Sequence, residues 1–322
     1  MPTHPATSSK PRPAEAGRRA EVPVLLNGHA RAFRKEGGPK VLERVRAACE
    51  AGGLSARIEL VRPDGMERAV KDALASGART VVVGGGDGTV RTAAQVLAGS
   101  DAALGILALG TLNHCARDLG IPADLAESAR VVAEGHVRPI DVGELDGEVF
   151  VNNSSLGLYP YMVRARQKHE RRFKIGRFWA LIRACWTAFW RFPVLELDVK
   201  RPAGLGRIES PVVFVGNGEY ALGPHVGTRK SLDAGVLFLC MLHSMGRWRM
   251  LWLAVRSLFV AVPKEKQMRC IFVEEVSIDL PRGSAWVSLD GEVRKARGRL
   301  VYRIRPKALK VIVPRPAEPK AP

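Results

Sequence analysis

Thr80-Val81-Val82-Val83-Gly84-Gly85-Gly86-Asp87-Gly88-Thr89 runs three β-branched residues into consecutive glycines, and Val90 to Ala98 continues with helical spacing. A strand that ends in glycines and opens a helix presents backbone N–H groups at a positive dipole end, which suits a phosphate. Glycine lets the main chain approach an anion where a Cβ would block it. The carboxylate of Asp87 would repel a phosphate on its own, so its presence calls for a Mg²⁺ ion or a water between them. Two familiar phosphate motifs do not fit. No Lys follows the glycines, as a P-loop requires, and the third glycine of G-x-G-x-x-G is Thr89 or Arg91, depending on where the count starts.

The pattern on either side sets the architecture. Val22 to Asn27 reads as a short buried strand ending in a polar turn, and Lys40 to Ala51 as a helix stopped at Gly52-Gly53. Arg57 to Val61 is a second strand, Met66 to Ala75 a second helix, and Leu104 to Leu109 the strand after the glycine turn. Alternating strands and helices predict a parallel sheet covered on both faces, with ligands beyond the carboxyl ends of its strands. Gly84 to Thr89 and Gly110 to Asn113 both fall at such ends. Beyond Asp141 short β segments dominate: Val149–Asn152, Val194–Val199, Val212–Gly216, Val236–Leu242, Glu275–Leu280, Ala285–Leu289, Leu300–Ile304 and Leu309–Val313. The expectation is an α/β domain over 21–140 and an all-β, sandwich-like domain over 141–313, whose last strands can return to the first. Residues 1–20 read as a disordered leader and 314–322 as a disordered tail.

With 322 residues and 46% hydrophobic content the chain can build a core, which excludes general disorder. Its net charge of +18 points to an anionic partner. Five scattered cysteines without a C-x-x-C pair point to a reduced, cytoplasmic protein with no structural zinc. The N-terminus lacks the apolar stretch of a secretory signal. The best candidate span, Met250 to Val262, is too short for a bilayer and carries Arg256, so the expectation is a soluble or peripheral protein.

Three motifs occur in order: Gly85-Gly86-Asp87-Gly88-Thr89, then Leu109-Gly110-Thr111-Leu112-Asn113-His114-Cys115-Ala116-Arg117-Asp118-Leu119-Gly120-Ile121-Pro122, then Leu289-Asp290-Gly291-Glu292. Together they resemble the diacylglycerol kinase catalytic-domain family, which includes bacterial lipid kinases and sphingosine kinases. The resemblance covers roughly Val22 to Val313. GGDGT alone is shared with NAD kinases and is similar to a motif of phosphofructokinases, whereas the second and third motifs are more specific to lipid kinases. The resemblance implies an ATP site between an α/β domain and a β-sandwich, with γ-phosphoryl transfer to a lipid hydroxyl. It puts Gly84, Gly85, Gly86, Asp87, Gly88 and Thr89 at the ATP phosphates, with Thr111 and Asn113 at the nucleotide and Asn27 on a loop reaching it. Asp290 and Glu292 stand where the family keeps its catalytic carboxylates, and Asp290 is the choice as base. Phosphoryl transfer needs positioning and charge neutralisation more than covalent help, so glycine turns, Mg²⁺ and one oriented base suffice. Asp290-Gly291 between apolar runs is equally a hairpin signal, and the two readings are compatible. Two positions depart from the family. His114 stands where many members have Asp, and Ala234 replaces the Asp of a structural Mg²⁺ site, leaving Asp233 one residue early as the candidate ligand.

Met162 to Pro193 interleaves nine Lys and Arg residues with aromatics, Trp179, Trp186 and Trp190 among them. Met245 to Lys266 repeats the pattern with Trp248, Trp252 and Phe259. Such arcs suit the interface of an anionic bilayer, where each Lys or Arg contributes on the order of 1 kcal/mol. They equally suit helices packed on the β domain. No zinc-finger, RRM or KH signature accompanies the charge, so nucleic acid is not expected. The leading reading is an ATP- and Mg²⁺-dependent lipid kinase, peripheral to the membrane. The alternatives are an NAD kinase-type enzyme and a nucleotide-gated membrane-binding module without catalysis. A homo-oligomer stays open.

Overall fold

The computed structural model describes residues 21–161, 163, 164, 186, 190, 194–200, 206–221, 229–243, 248 and 268–316. Its first half is built on a parallel sheet whose inner strands are apolar and buried on both faces and whose edge strand is half exposed. β1 (Val22–Asn27), β2 (Ala56–Val61), β3 (Thr80–Gly85) and β4 (Ala103–Ala108) pair in parallel, in the order β2-β1-β3-β4. The valines of β3 show why both faces need cover. Val81 and Val83 pack with α3 (Met66–Ala75) and α4 (Asp87–Leu97) on one side, through Met66, Val70, Ala93 and Leu97. Val82 points the other way, into α2 (Gly38–Ala51) and α6 (Leu125–Glu134), through Val41, Val45, Ala129 and Val132. Period-two alternation on a strand thus feeds two helical layers. Two short helices, α1 (Arg31–Glu36) and α5 (His114–Asp118), follow β1 and β4.

The second half is rich in antiparallel strands. β15 (Glu275–Leu289) and β16 (Glu292–Ile312) form a long hairpin. β15 also pairs with β7 (Asn153–Gly157), which leads through β10 (Val212–Asn217) and β13 (Leu237–Leu242) to β14 (Met268–Val273). β8 (Leu195–Lys200) joins β15 further along, with β9 (Gly206–Ser210) beside it, and β11 (Glu219–Tyr220) pairs with β12 (Arg229–Ser231) apart from this sheet. Leu156, Val213, Val215, Leu239, Val287 and Tyr302 face one core. β5 (Val137–Leu145) and β6 (Glu148–Phe150) connect the halves, β5 running antiparallel to β16. The end of β16 then lies parallel to β4, pairing Lys310 with Ala103 and Val311 with Leu104.

The α/β half and the strand-rich half match the expected fold class, and α3 has the bounds its periodicity predicts. The segments read as Glu275–Leu280 and Ala285–Leu289 are instead one strand, with its register shifted between Asp279 and Ser284. Leu300–Ile304 and Leu309–Val313 likewise belong to β16, which shifts register against β5 between Arg305 and Leu309. Such irregularities bend a ladder without ending it. A further correction concerns the cysteines. Register sets Cys240 on β13 opposite Cys270 on β14, and they form a disulfide. Two thiols thirty residues apart in the chain look scattered until strand pairing is known. Cys49 and Cys115 are free and buried. Among the described residues no helix is long and apolar enough to cross a membrane. The candidate span Met250 to Val262 and most of both basic aromatic segments lie outside the described residues.

Candidate active site

β3 and β4 end side by side, and their following loops touch. A Cβ on Gly110 would meet the Cα of Gly86 at 2.5 Å and the Oδ1 of Asn113 at 2.5 Å, so only glycine lets these two backbones pass. Asn113, in the left-handed conformation (φ 47°), turns its side chain back to accept the Gly110 N–H at 3.1 Å. Thr111 and Leu112 are exposed at the tip of that loop. Asp87 opens α4, and its Oδ1 accepts the N–H of Cys115 at 3.1 Å, tying α4 to the start of α5. Asn27 donates to the Thr89 hydroxyl at 2.9 Å, which fixes the end of β1 against α4.

The six residues quoted for the phosphate turn divide by position. Gly84 and Gly85 close strand β3, and their missing side chains make room for protein. A Cβ on Gly84 would meet Leu26 at 2.4 Å, and one on Gly85 would meet the Thr89 hydroxyl at 2.3 Å. Gly86, Asp87, Gly88 and Thr89 form the turn into the helix. Among the described residues no side chain caps α4; the Thr89 N–H turns back to the Gly86 carbonyl, which leaves the amides of Asp87 and Gly88 for an anion. The donor set therefore fits a phosphate. It also fits Mg²⁺ held between phosphates and one carboxylate, because Asp87 Oδ2 has no hydrogen-bond partner among the described residues. Asp233 does not fit a second ion. Its carboxylate takes the Ser231 hydroxyl at 2.5 Å and the Arg138 guanidinium at 2.7 Å, which hold it below the ordinary carboxylate range. Among the described residues no group of three or more metal-binding side chains assembles.

Asp290 and Gly291 are the two residues of the β15–β16 turn, both with positive φ (47° and 88°), as a type I′ hairpin demands. The hairpin reading thus holds, and it aims the carboxylate inward. Asp290 accepts three amides: Val151 at 2.7 Å, Asn152 at 2.8 Å and Asn153 at 2.9 Å. Burial pushes its pKa up to about 6, against the downward pull of those amides and of Arg91. A carboxylate offers about four acceptor positions, so one remains for a proton. Glu292 stands differently. It accepts from Arg91 of α4 and lies over Gly88, where a Cβ would be 2.9 Å from Glu292 Oε1. Glu148 completes this cluster with Arg294 at 3.3 Å.

Sequence reading missed Arg229. Its side chain is 5% exposed, and it donates to the carbonyls of Val151 and Asn152 and to the Tyr220 hydroxyl, with Asp118 of α5 at 3.5 Å. The peptide groups whose amides hold Asp290 are thus held from behind by Arg229. An isolated Arg in a polar stretch carries no motif, so only the fold reveals it. The Cys115 thiol at the start of α5 is buried, which raises its pKa, and its N–H is the one that Asp87 accepts. Arg229→Met is expected to lower stability by about 3 kcal/mol, because buried acceptors lose a charged donor. An unchanged denaturant midpoint would show that this network carries no stability.

Residues 22–145 match the model of the diacylglycerol kinase catalytic domain. A protein named probable lipid kinase YegS-like from Pseudomonas aeruginosa is 31% identical over 311 residues, covering 90% of this chain and 94% of the relative. One of the same name from Pseudomonas fluorescens is 32% identical over 295 residues, covering 84% and 91%. Among solved structures, a diacylglycerol kinase from Bacillus anthracis str. Sterne superposes with a TM-score of 0.64 at 20% identity, over 92% of this chain and 97% of that one. This likeness extends the shared fold across both halves. The chain belongs to the diacylglycerol kinase catalytic-domain family and is a kinase.

Proposed function

We propose that this chain transfers the γ-phosphoryl group of ATP to a hydroxyl of a membrane lipid, with Asp290 as the base. The observation that carries this reading is the meeting of the β15–β16 turn with the start of α4: Glu292, two residues from Asp290, pairs with Arg91 of α4 and lies over Gly88, while Asp87 ties the same helix start to α5. When bound, ATP supplies the phosphoryl group, and Mg²⁺ neutralises its charge. The residues for them are the Gly86–Thr89 turn, Asp87 and the Gly110–Asn113 loop, with Asn27 supporting Thr89. Asp290 takes the proton as the acceptor oxygen bonds to phosphorus and the bond to the leaving diphosphate oxygen breaks. Its raised pKa suits proton transfer near neutrality, whereas Glu292 is engaged in an ion pair with Arg91. That difference favours Asp290 over Glu292.

Access to a bilayer is supported by exposed aromatics and charge. Trp186, Trp190 and Trp248 are 65%, 53% and 68% exposed, on a chain of net charge +18. The test is transfer from labelled ATP to an extracted lipid presented in anionic vesicles. Asp87→Asn, which keeps an oxygen for the Cys115 N–H, is expected to lower it at least tenfold with the melting temperature kept, through lost metal and phosphate binding. If no lipid is labelled while NAD becomes NADP, the proposal fails in favour of an NAD kinase.

A further inference from the structure

Three serines lie buried where β7 meets β15. Ser154 faces the core of the strand-rich half and shares a hydrogen bond with Tyr302. Ser155 (4% exposed) and Ser288 (1% exposed) face the other side, and neither hydroxyl has a partner among the described residues. Register sets them directly opposite each other. The adjoining rung towards the turn on this face joins Asp290 and Asn153, which exchange hydrogen bonds. The serine pair therefore lies two residues along each strand from the proposed base, roughly 7 Å away. A buried hydroxyl without a partner costs about 1–3 kcal/mol, so two side by side next to a base call for a ligand.

What surrounds the pair is apolar and partly open. Phe214 is the β10 neighbour of Ser155, and Trp286 stands two residues from Ser288 on the same face. Both keep some surface in solvent, as do Asp290 and Asn153. The Arg164 guanidinium lies 3.9 Å above the Trp286 ring. A molecule reaching Asp290 along this face would meet two hydroxyls and then aromatic surface.

Resting on the lipid-kinase reading, we infer that Ser155 and Ser288 donate hydrogen bonds to an ester carbonyl of a glycerolipid acceptor, whose acyl chain lies against Phe214. The free hydroxyl of such a lipid and its nearby carbonyl match the order of Asp290 and the serine pair along the strands. A plain isoprenoid alcohol has no oxygen for the pair, and an ether lipid has only a weak acceptor there.

The experiment compares dioctanoylglycerol with its ether counterpart dioctylglycerol, using wild type and the Ser155→Ala/Ser288→Ala double variant. Removing unpartnered hydroxyls leaves folding intact, and the melting temperature checks this. Wild type is expected to show a KM roughly five- to tenfold lower for the ester. The double variant is expected to lose that preference, with kcat at saturating lipid within about twofold of wild type. Equal KM values in wild type, or a preference kept by the double variant, would overturn the inference. So would label that enters an extracted lipid but resists mild alkali, which cleaves esters; the kinase reading would then survive. Label in no lipid at all overturns the kinase reading itself, and this inference with it.

Discussion

Replacing Asp290 by asparagine is expected to cut phosphoryl transfer by about 10²- to 10⁴-fold, the usual contribution of a positioned base. The amide cannot take the acceptor proton; its single carbonyl oxygen can keep the Asn152 and Asn153 amides, while its NH2 group then faces the Val151 N–H. Nucleotide affinity, assigned to the α4 turn and the Gly110–Asn113 loop, is expected to change little. The wild-type rate carries a matching signature. Burial raises this carboxyl to about 6, so kcat is expected to fall as pH drops through that value and the base becomes protonated. The same shift has a consequence for stability. The folded state holds this proton more tightly than the unfolded chain, so its contribution is full below the ordinary carboxylate range and is lost as pH rises through about 6. A pH–rate profile of wild type beside the variant tests the assignment. Transfer retained in Asp290→Asn, or a flat wild-type profile across that range, would remove Asp290 as the base.

Gly110→Ala should be the most damaging small change on the nucleotide side. The new methyl would sit 2.5 Å from the Cα of Gly86, a backbone atom that cannot rotate away. The two loops must part, which removes the alignment of the α4 turn with the Gly110–Asn113 loop. Overpacking of this kind costs about 1–3 kcal/mol, so affinity for a non-hydrolysable ATP analogue should weaken roughly 10- to 100-fold. Gly120→Ala is the control. Its φ of +69° makes a side chain strained, but nothing stands within 4 Å of the new methyl. Titration calorimetry on both variants, with melting temperatures alongside, separates lost binding from lost stability. Unchanged affinity in Gly110→Ala would place the nucleotide away from these loops.

The elements of the first half were legible because each strand and helix buries a face with a period that shows locally, as in Val81 to Val83 and in Met66 to Ala75. The Asp-Gly hairpin was legible for the same reason. α6 carried its own signals, Asp124 capping the Glu127 amide and Gly135 ending the helix in a left-handed residue, yet it went unread. The hidden part of the site depends on distance in sequence. Asp290 reaches peptide groups 137 to 139 residues away, and Arg91 meets Glu292 from 201 residues off. No local pattern records such contacts. Arg229 and the Ser155–Ser288 pair gain meaning only from strand register. Asp141 is similar. It looked like a boundary, and it is a fully buried carboxylate holding the Gly235 and Lys307 amides.

The strand that leaves the Asp290 turn does not stop in the half where it begins. β16 runs on until its last residues lie between β4 and β5, one end beside the proposed base and the other inside the opposite half. A gene cut near residue 140 would therefore yield no self-sufficient fragment, since the upstream piece would expose the bare edge of β4. Nor can the two lobes swing freely as beads on a tether. Any opening that admits a substrate has to flex this shared ribbon or use the loops around it.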